Sequence, residues 1–150
     1  MKLHFDIVIV GAGPAGLAAA QAAAGAGKTI AVIDDNPQAG GQIWRGGPQH
    51  SGDKRAAQLW SALTNTKNVR FFHSAKVLLR SAPRALLVET PDAVLTLHYA
   101  KLILATGARE RLLPFPGWTL PGVFGAGGMQ ALAERGFPVA GKRIVVAGSG

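Results

Sequence analysis

The stretch DIVIVGAGPAG, residues 6–16, decides the fold class of this 150-residue chain. After Asp6, its first half is an unbroken run of branched apolar residues, which is typical of a parallel strand buried on both faces. Its second half spaces glycines as G-x-G-x-x-G and leads directly into an alanine-rich segment of high helix propensity. A second apolar run, TIAVID at residues 29–34, follows. Together these segments predict a βαβ unit with a right-handed crossover, and therefore an α/β fold of the Rossmann-like type with a central parallel sheet.

Each glycine of the motif has a predicted task in holding a dinucleotide. Gly11 permits the tight turn out of the strand, Gly13 leaves the backbone open to a pyrophosphate, and Gly16 lets the helix pack close to the sheet. The N–H groups and the positive dipole end of the helix then face the pyrophosphate. The predicted cofactor-binding loop also contains the residues between these glycines: Ala12, Pro14 and Ala15.

An acidic residue ends the second apolar run. Asp34 lies eighteen residues after Gly16, close to the spacing at which a carboxylate accepts hydrogen bonds from the ribose diol of a dinucleotide. The adjacent Asp35 is either a second ligand of the cofactor or a solvated neighbour, and the spacing favours Asp34. These features predict dinucleotide binding, but the glycine motif alone does not distinguish FAD from NAD.

The composition narrows the classes of function. A hydrophobic fraction of 48% and a charged fraction of 16% fit a globular domain and not a disordered tail. No apolar run approaches the length of a membrane span and the first residues lack a signal-peptide pattern, so we expect a cytoplasmic protein with no transmembrane segment. The net charge of +8 is spread thinly, with no basic run longer than two residues, so nucleic-acid binding is not expected.

The chain has no cysteine, which excludes a disulfide, a thiol nucleophile and a redox cysteine pair within these residues. Its four histidines are scattered, and none has a second ligand at metal-binding spacing: His4, His50, His73 and His98. We therefore expect no metal site. No general base is assigned.

The rest of the chain alternates between helical and strand patterns. An amphipathic helix is predicted from Lys54 to about Thr66. The β-prone runs VRFFHSAKVLL, ALLVET and VLTLHYA, separated by proline-containing turns, predict an antiparallel β-meander inserted between parallel strands. KLILATG, residues 101–107, predicts a further parallel strand. A helix is predicted from about Gly128 to Arg135, and KRIVVAGSG, residues 142–150, predicts a last buried strand.

Three segments, in this order, resemble the FAD domain of the two-dinucleotide-binding flavoproteins, the superfamily that includes thioredoxin reductases and glutathione reductases: DIVIVGAGPAG, VIDDNPQAGGQIW and LILATGARE. The resemblance implies FAD as the cofactor, with Gly40-Gly41-Gln42 lining the flavin side of the site. It also implies that Ala105-Thr106-Gly107 passes close to the cofactor and that the backbone of Val77 approaches the adenine. Some members carry redox cysteines just after the glycine pair, but residues 42–48 here read QIWRGGP.

A narrower resemblance covers almost the whole chain. GGQIWR, ATGARERLLPFPGWTLPGVFGAGGMQALAERG and GKRIVVAGSG resemble the flavoprotein A subunits of opine oxidases or dehydrogenases. Hydroxyproline dehydrogenase, hydrogen cyanide synthase and, more distantly, sarcosine oxidase have related subunits. The resemblance implies a component of a multi-subunit amine or amino-acid dehydrogenase that passes electrons between cofactors, with other protein subunits as partners.

Two alternatives stay open. One is an NAD(P)H-dependent flavin reductase of the thioredoxin-reductase type, and the other is a non-catalytic subunit that holds a flavin or assembles partners. Three arginines are candidates for holding a phosphate or a reduced flavin, or else are solvated loop residues: Arg45, Arg109 and Arg111.

The end of the chain repeats the design of its beginning. RIVVAGSG, residues 143–150, matches the strand-to-glycine junction of DIVIVGAG, with Gly148 and Gly150 as the first two glycines of a second motif. We therefore predict the first part of an FAD-binding domain at 1–140 and the first strand of a second, NAD-binding domain at 141–150. NAD(P) is then expected only in a longer chain. Because the superfamily completes its flavin pocket with a later return segment, we expect the isolated chain to bind FAD weakly or not at all.

Overall fold

A computed structural model describes residues 1–148 and divides the chain into two compact units, Met1–Gly107 and the residues from Ala108 onward. The first unit is a six-stranded sheet with two helices and a single 3₁₀ turn at Pro48–His50. Its strands are β1 (Lys2–Val10), β2 (Ile30–Ile33), β3 (Val69–Phe72), β4 (Lys76–Ala82), β5 (Ala85–Glu89) and β6 (Val94–Leu104), and its helices are α1 (Pro14–Gly25) and α2 (Lys54–Thr64). The strand order across the sheet is β3-β2-β1-β6-β5-β4.

The sheet is parallel at one side and antiparallel at the other. β1 pairs in parallel with β2 and β6, and β2 pairs in parallel with β3. β4, β5 and the first part of β6 form the antiparallel meander. The predicted α/β fold with a parallel sheet and an inserted meander is therefore confirmed.

Two details of the strand prediction were wrong. VLTLHYA and the following KLIL form one strand, because β1 begins at Lys2 and offers β6 a partner along its length from Thr96 to Leu104. VRFF is a separate parallel strand beside β2 and does not belong to the meander. The chain turns between β3 and β4 at Ser74, which has φ +49°, so the long run predicted there is broken.

Apolar clusters cover both faces of the parallel strands. Val8 and Ile9, neighbours on β1, are both fully buried, which agrees with the unbroken apolar run predicted for a strand covered on two sides. Ile9 packs with Leu17 of α1 and Leu63 of α2. Val8 packs with residues of β2, β3 and the meander, including Leu97.

Both helices of the first unit begin with a favourable residue. α1 has Pro14 in its first turn, where the missing N–H would have no helical partner. The Asp53 side chain caps α2 by accepting a hydrogen bond from the Arg55 backbone N–H at 2.8 Å. The predicted helix at residues 54–66 is confirmed, although it ends at Thr64.

The second unit contains one helix among its described residues, α3 (Ala126–Glu134), which begins two residues before its predicted start. A strand was predicted at residues 142–150; within its described part, residues 142–148 are not in a strand, and Val145 is 92% exposed. A buried parallel strand needs neighbouring strands, and the described chain offers none here. Gly150, the second glycine of the predicted second motif, lies outside the described residues. Within residues 1–148, no helix has the length and apolar character needed to cross a membrane.

Candidate functional site

The predicted cofactor-binding segments begin at one edge of the sheet. β1, β2 and β6 run in parallel and end in register, with Val10 opposite both Ile33 and Leu104. The glycine motif, the acidic pair and the Ala-Thr-Gly segment therefore leave the sheet side by side. Ligands bind at this carboxyl edge in open α/β sheets.

Gly11 meets the Ala-Thr-Gly segment. Its N–H donates a hydrogen bond to the Ile33 carbonyl oxygen at 2.7 Å, and the Ala105 N–H donates to the Val10 carbonyl oxygen at 2.8 Å. Gly11 has φ +104°, a conformation that strongly favours glycine, and a Cβ placed on it would collide with the Ala105 carbonyl. This glycine is therefore required both by the turn and by the crossing of Ala105.

Gly16 is required by the packing of α1 on the end of β1. It is buried, and a Cβ placed on it would collide with the Gly11 carbonyl and lie 3.5 Å from the Cβ of Ala105. A backbone carbonyl in this turn has little freedom to move aside. The close approach of helix and sheet predicted for this glycine is present.

The Gly-Gly-Gln segment closes the other side of the loop. The Gly40 N–H donates a hydrogen bond to the Ala12 carbonyl oxygen at 2.7 Å. Gly41 has φ +59°, and a Cβ placed on it would lie 3.0 Å from the Cα of Gly13. Three segments that are distant in sequence thus meet around the glycine loop.

Gly13 differs from the other two glycines of the motif, because the packing of the protein does not require it. Its φ of −72° and ψ of −177° are open to any residue, and the nearest atom to a Cβ there would be the Cα of Gly41 at 3.9 Å. Gly13 is the N-cap of α1, so this open space lies beside the first N–H groups of the helix. Those groups, on Ala15 and Gly16, have no acceptor within the helix and suit an anion.

Asp34 is buried and holds the glycine loop. One of its carboxylate oxygens accepts a hydrogen bond from the Ala12 N–H at 2.5 Å. The other accepts from the Asn36 backbone N–H at 2.9 Å and from the Asn36 side-chain amide at 2.8 Å. The carboxylate predicted to bind a ribose is thus already occupied by three donors of the protein. Asp35, at the same strand end, is exposed.

The backbone before Val77 lies beside the acidic pair. The Ala75 N–H donates to the Asp34 carbonyl oxygen at 2.9 Å, and the Ser74 N–H donates to the Asn36 carbonyl oxygen at 3.0 Å. Val77 follows two residues later, where its side chain packs against the cluster around Val8 and its backbone lies opposite Val88 of β5. The adenine contact of the Val77 backbone stays a prediction.

Gln42 and Arg45 interact with each other. The Arg45 guanidinium donates to the Gln42 side-chain oxygen from Nε at 3.4 Å and from Nη2 at 3.3 Å. Two donors on the carbonyl side of the amide leave its NH₂ group directed elsewhere. Thr106 and Gly107 follow Ala105, and Gly107 is exposed. Arg109 and Arg111 lie in the second unit and are exposed there.

His73 was not singled out by the sequence. Its ring stacks on Phe71 at a centroid distance of 5.5 Å and lies 6.4 Å from the ring of Trp60. Nδ1 is buried without a hydrogen-bond partner among the described residues. Burial lowers the pKa of His73 below 6.5, and the charge of Asp34 opposes that shift. A neutral imidazole therefore lies near the acidic pair, and no local sequence signal indicates it.

The comparisons with known proteins agree with this geometry. Residues 5–150 match the pyridine nucleotide-disulphide oxidoreductase family. The chain belongs to this family. An opine oxidase subunit from Agrobacterium tumefaciens strain Ach5 is 38% identical over 95% of this chain and 32% of its own length. The hydrogen cyanide synthase subunit HcnB of Pseudomonas aeruginosa is 33% identical over 95% of this chain and 33% of its own length. The predicted resemblance is confirmed, and the chain spans about a third of these relatives.

A solved structure supports the fold of this oxidoreductase domain. The L-proline dehydrogenase of P. horikoshii superposes with a TM-score of 0.60 at 24% identity, covering 76% of this chain and 25% of that one. The family name refers to disulphide chemistry, but this member has no cysteine in its 150 residues. Disulphide exchange is therefore not a reaction of residues 1–150. What these residues share with the family is the Rossmann-like sheet with the glycine motif at its carboxyl edge.

Proposed function

We propose that residues 1–107 bind FAD and that the chain is part of the flavoprotein subunit of a multi-subunit amine, opine or amino-acid dehydrogenase. The observation that carries the proposal is the open position at Gly13. Gly11 and Gly16 are explained by packing, whereas the missing side chain of Gly13 only leaves space beside the N-terminus of α1. A pyrophosphate is the group that this space and these N–H donors suit.

The remaining contacts distribute the dinucleotide along the edge. We assign the ribose hydroxyls to Asp35, because its carboxylate is exposed although it accepts a hydrogen bond from the Asn36 side-chain amide at 3.2 Å, whereas the Asp34 carboxylate is buried. The backbone at Val77 is assigned to the adenine. The flavin half extends toward the remaining predicted residues: Gly40, Gly41, Gln42, Ala105, Thr106 and Gly107.

Bound FAD would supply the acceptor for a hydride or electrons. The described residues bind and orient such a group rather than transfer protons. Arg45 fixes the side-chain oxygen of Gln42, so that its NH₂ group is the donor available to a cofactor. The glycine loop would hold the pyrophosphate at the positive end of the helix dipole.

The dehydrogenase role rests on the relatives. The opine oxidase and hydrogen cyanide synthase relatives are both named as subunits, which supports protein partners for this chain. The reductase and scaffold alternatives differ from this role in their electron donors and partners. We also propose that residues 141–150 begin a second dinucleotide-binding domain, in which a longer chain would bind NAD(P).

The test is a titration of the ¹⁵N-labelled chain with FAD, NAD and ADP, followed by amide chemical shifts. We expect weak binding, with FAD and ADP both shifting residues 11–16 and 34–36. FAD should in addition shift residues 40–42 and Ala105, which ADP should leave unchanged. Shifts confined to other regions would contradict the proposed site. Equal patterns for NAD and FAD would contradict the assignment of the flavin half.

A further inference from the structure

Two histidines that are far apart in the sequence are paired in the sheet. His4 lies on β1 and His98 on β6, and the parallel register places them directly opposite each other. Their ring centroids are 4.6 Å apart, and the ring planes differ by 11°. Residues 4 and 98 are too far apart in the sequence for a local spacing to relate them, so it is the pairing of the two strands that brings the histidines together.

The pair lies on the face of the sheet that turns away from the meander core. The neighbours of the two histidines on these strands pack into that core: Leu3, Phe5, Leu97 and Tyr99. Side chains alternate between faces along a strand, so both imidazoles project from the opposite face. His4 is exposed and His98 is half-buried. Within residues 1–148, neither ring has a hydrogen bond to another protein group.

Adjacent imidazoles on a rigid backbone suit a transition metal ion. Neutral imidazole is a preferred ligand of Cu²⁺, Ni²⁺ and Zn²⁺, and Cu²⁺ binds nitrogen sites most tightly among the first-row divalent ions. The paired strands hold both Cα atoms in place, so only rotation of the rings is needed to turn two nitrogen lone pairs toward one ion. A chelate formed in this way loses less conformational entropy than two independent histidines would.

We propose that His4 and His98 form a two-histidine site for a divalent transition metal, with Cu²⁺ as the tightest ligand. In the described part of the chain, no group of three or more His, Cys, Asp or Glu residues is arranged to hold a metal. The protein therefore supplies two ligands, and water or another small ligand completes the coordination.

This site is separate from the proposed nucleotide site. His4 and Gly11 are seven residues apart on β1, or about 23 Å at about 3.3 Å per residue. The metal would therefore not touch a pyrophosphate at the glycine loop. Failure of either proposal leaves the other intact, because one is read by nucleotide titration and the other by metal titration.

The test is a Cu²⁺ titration of the folded chain by calorimetry and electron paramagnetic resonance. We expect saturation at one ion per chain and nitrogen hyperfine coupling from imidazole. His98→Gln should weaken Cu²⁺ binding at least tenfold, as should His4→Gln, because each leaves a single imidazole. Ni²⁺ and Zn²⁺ should bind more weakly than Cu²⁺ at the same site.

His50→Gln is the matched control, since it removes an exposed histidine whose Nδ1 lies 3.2 Å from the Gly46 carbonyl oxygen and should leave binding unchanged. The His98→Gln variant also tests whether Cu²⁺ binds to the N-terminal amine and His4 instead of to the histidine pair. Both of those groups remain in this variant, so binding through them would not be weakened. Circular dichroism of each variant confirms that it is folded. Unchanged Cu²⁺ affinity in folded His98→Gln, or no saturable binding by the wild-type chain, would overturn the proposal.

Discussion

Replacing Gly13 by alanine should separate the requirements of the fold from those of the ligand. In the structure, the new methyl group would lie 3.9 Å from the Cα of Gly41, which is ordinary contact, and the backbone angles of Gly13 suit alanine. A glycine-to-alanine change at a compatible site stabilises a protein by about 0.4–1 kcal/mol, because it lowers the conformational entropy of the unfolded chain. Alanine is a poorer N-cap than glycine, which destabilises the helix by a similar amount. The free energy of unfolding should therefore stay within about 1 kcal/mol of the wild type.

The effect on binding should be large. The methyl group would occupy the space through which a pyrophosphate approaches the N–H groups of Ala15 and Gly16. Hydrogen bonds to charged groups contribute about 1.5–3 kcal/mol each, so weakening both should lose about 3 kcal/mol of binding free energy. At about 1.4 kcal/mol per tenfold, this corresponds to an affinity about 100-fold lower. At an FAD concentration that half-saturates the wild type, Gly13→Ala should be about 1% occupied.

Gly16→Ala and Gly25→Ala are the controls. A Cβ on Gly16 collides with the Gly11 carbonyl, and overpacking against backbone should lower the free energy of unfolding by about 3 kcal/mol or more. Gly25 ends α1 with no atom within 4 Å of a Cβ, so that variant should bind like the wild type and be equally stable or more stable by up to about 1 kcal/mol. Thermal melts and amide-shift titrations measure both quantities. If Gly13→Ala binds FAD like the wild type, or is destabilised as much as Gly16→Ala, the role assigned to Gly13 is wrong.

Three further outcomes follow from single side chains. Asp34→Asn should lower the free energy of unfolding by about 1–3 kcal/mol, because it weakens the buried hydrogen bond from the Ala12 N–H. Asp35→Asn should change the free energy of unfolding by no more than about 0.5 kcal/mol and should weaken ADP binding about tenfold. Denaturant melts and ADP titrations measure the two effects, and a reversed pattern would refute the division of roles. Burial lowers the pKa of His73 in the folded chain, so the unfolded chain binds a proton there more readily and stability should fall as the pH decreases through the ordinary histidine pKa of 6.5. Melts of His73→Phe should show a smaller fall, and equal slopes would contradict this cause. Glu110 accepts hydrogen bonds from the Gly127 N–H at 3.1 Å and the Gly128 N–H at 3.3 Å, so Glu110→Ala should destabilise the start of α3 by about 1 kcal/mol. Amide hydrogen exchange should then be faster at both glycines, and unchanged exchange would exclude the cap.

The βαβ unit could be predicted because its signals are local. The apolar run of β1, the glycine spacing and the helix formers of α1 lie within one stretch of chain, and each agrees with the others. The same holds for α2, whose apolar periodicity and Asp53 cap are close in sequence. The strand predicted at residues 142–150 had the same local signal as β1, yet its described residues, 142–148, are not in a strand. Its pattern describes burial, and burial requires neighbouring strands that the described chain does not place there.

Features that depend on register could not be predicted. The His4–His98 pair exists because β1 and β6 align in parallel over their whole common length, and this alignment also fuses the predicted meander strand with the parallel strand that follows. The contact between Gly41 and Gly13 similarly depends on how a loop returns across the sheet edge. Neither the G-x-G-x-x-G motif nor the Gly40-Gly41 pair indicates in the sequence that the two segments lie next to each other. The site could be predicted as a list of segments, but not as an arrangement.

The ambiguity between Asp34 and Asp35 has a different origin, which lies in the burial of β2. Neighbouring residues at a strand end turn to opposite sides, and the alternation of apolar and polar residues normally tells which side is buried. All four residues of β2 are buried, so the strand carries no such alternation. Counting from the glycines locates the strand end but does not decide which of two adjacent carboxylates turns inward. The structure resolves this through Ala12, whose N–H needs an acceptor inside the loop and finds it in Asp34. The outward carboxylate is on the side that a ligand can reach, and for this reason we assign the ribose to Asp35.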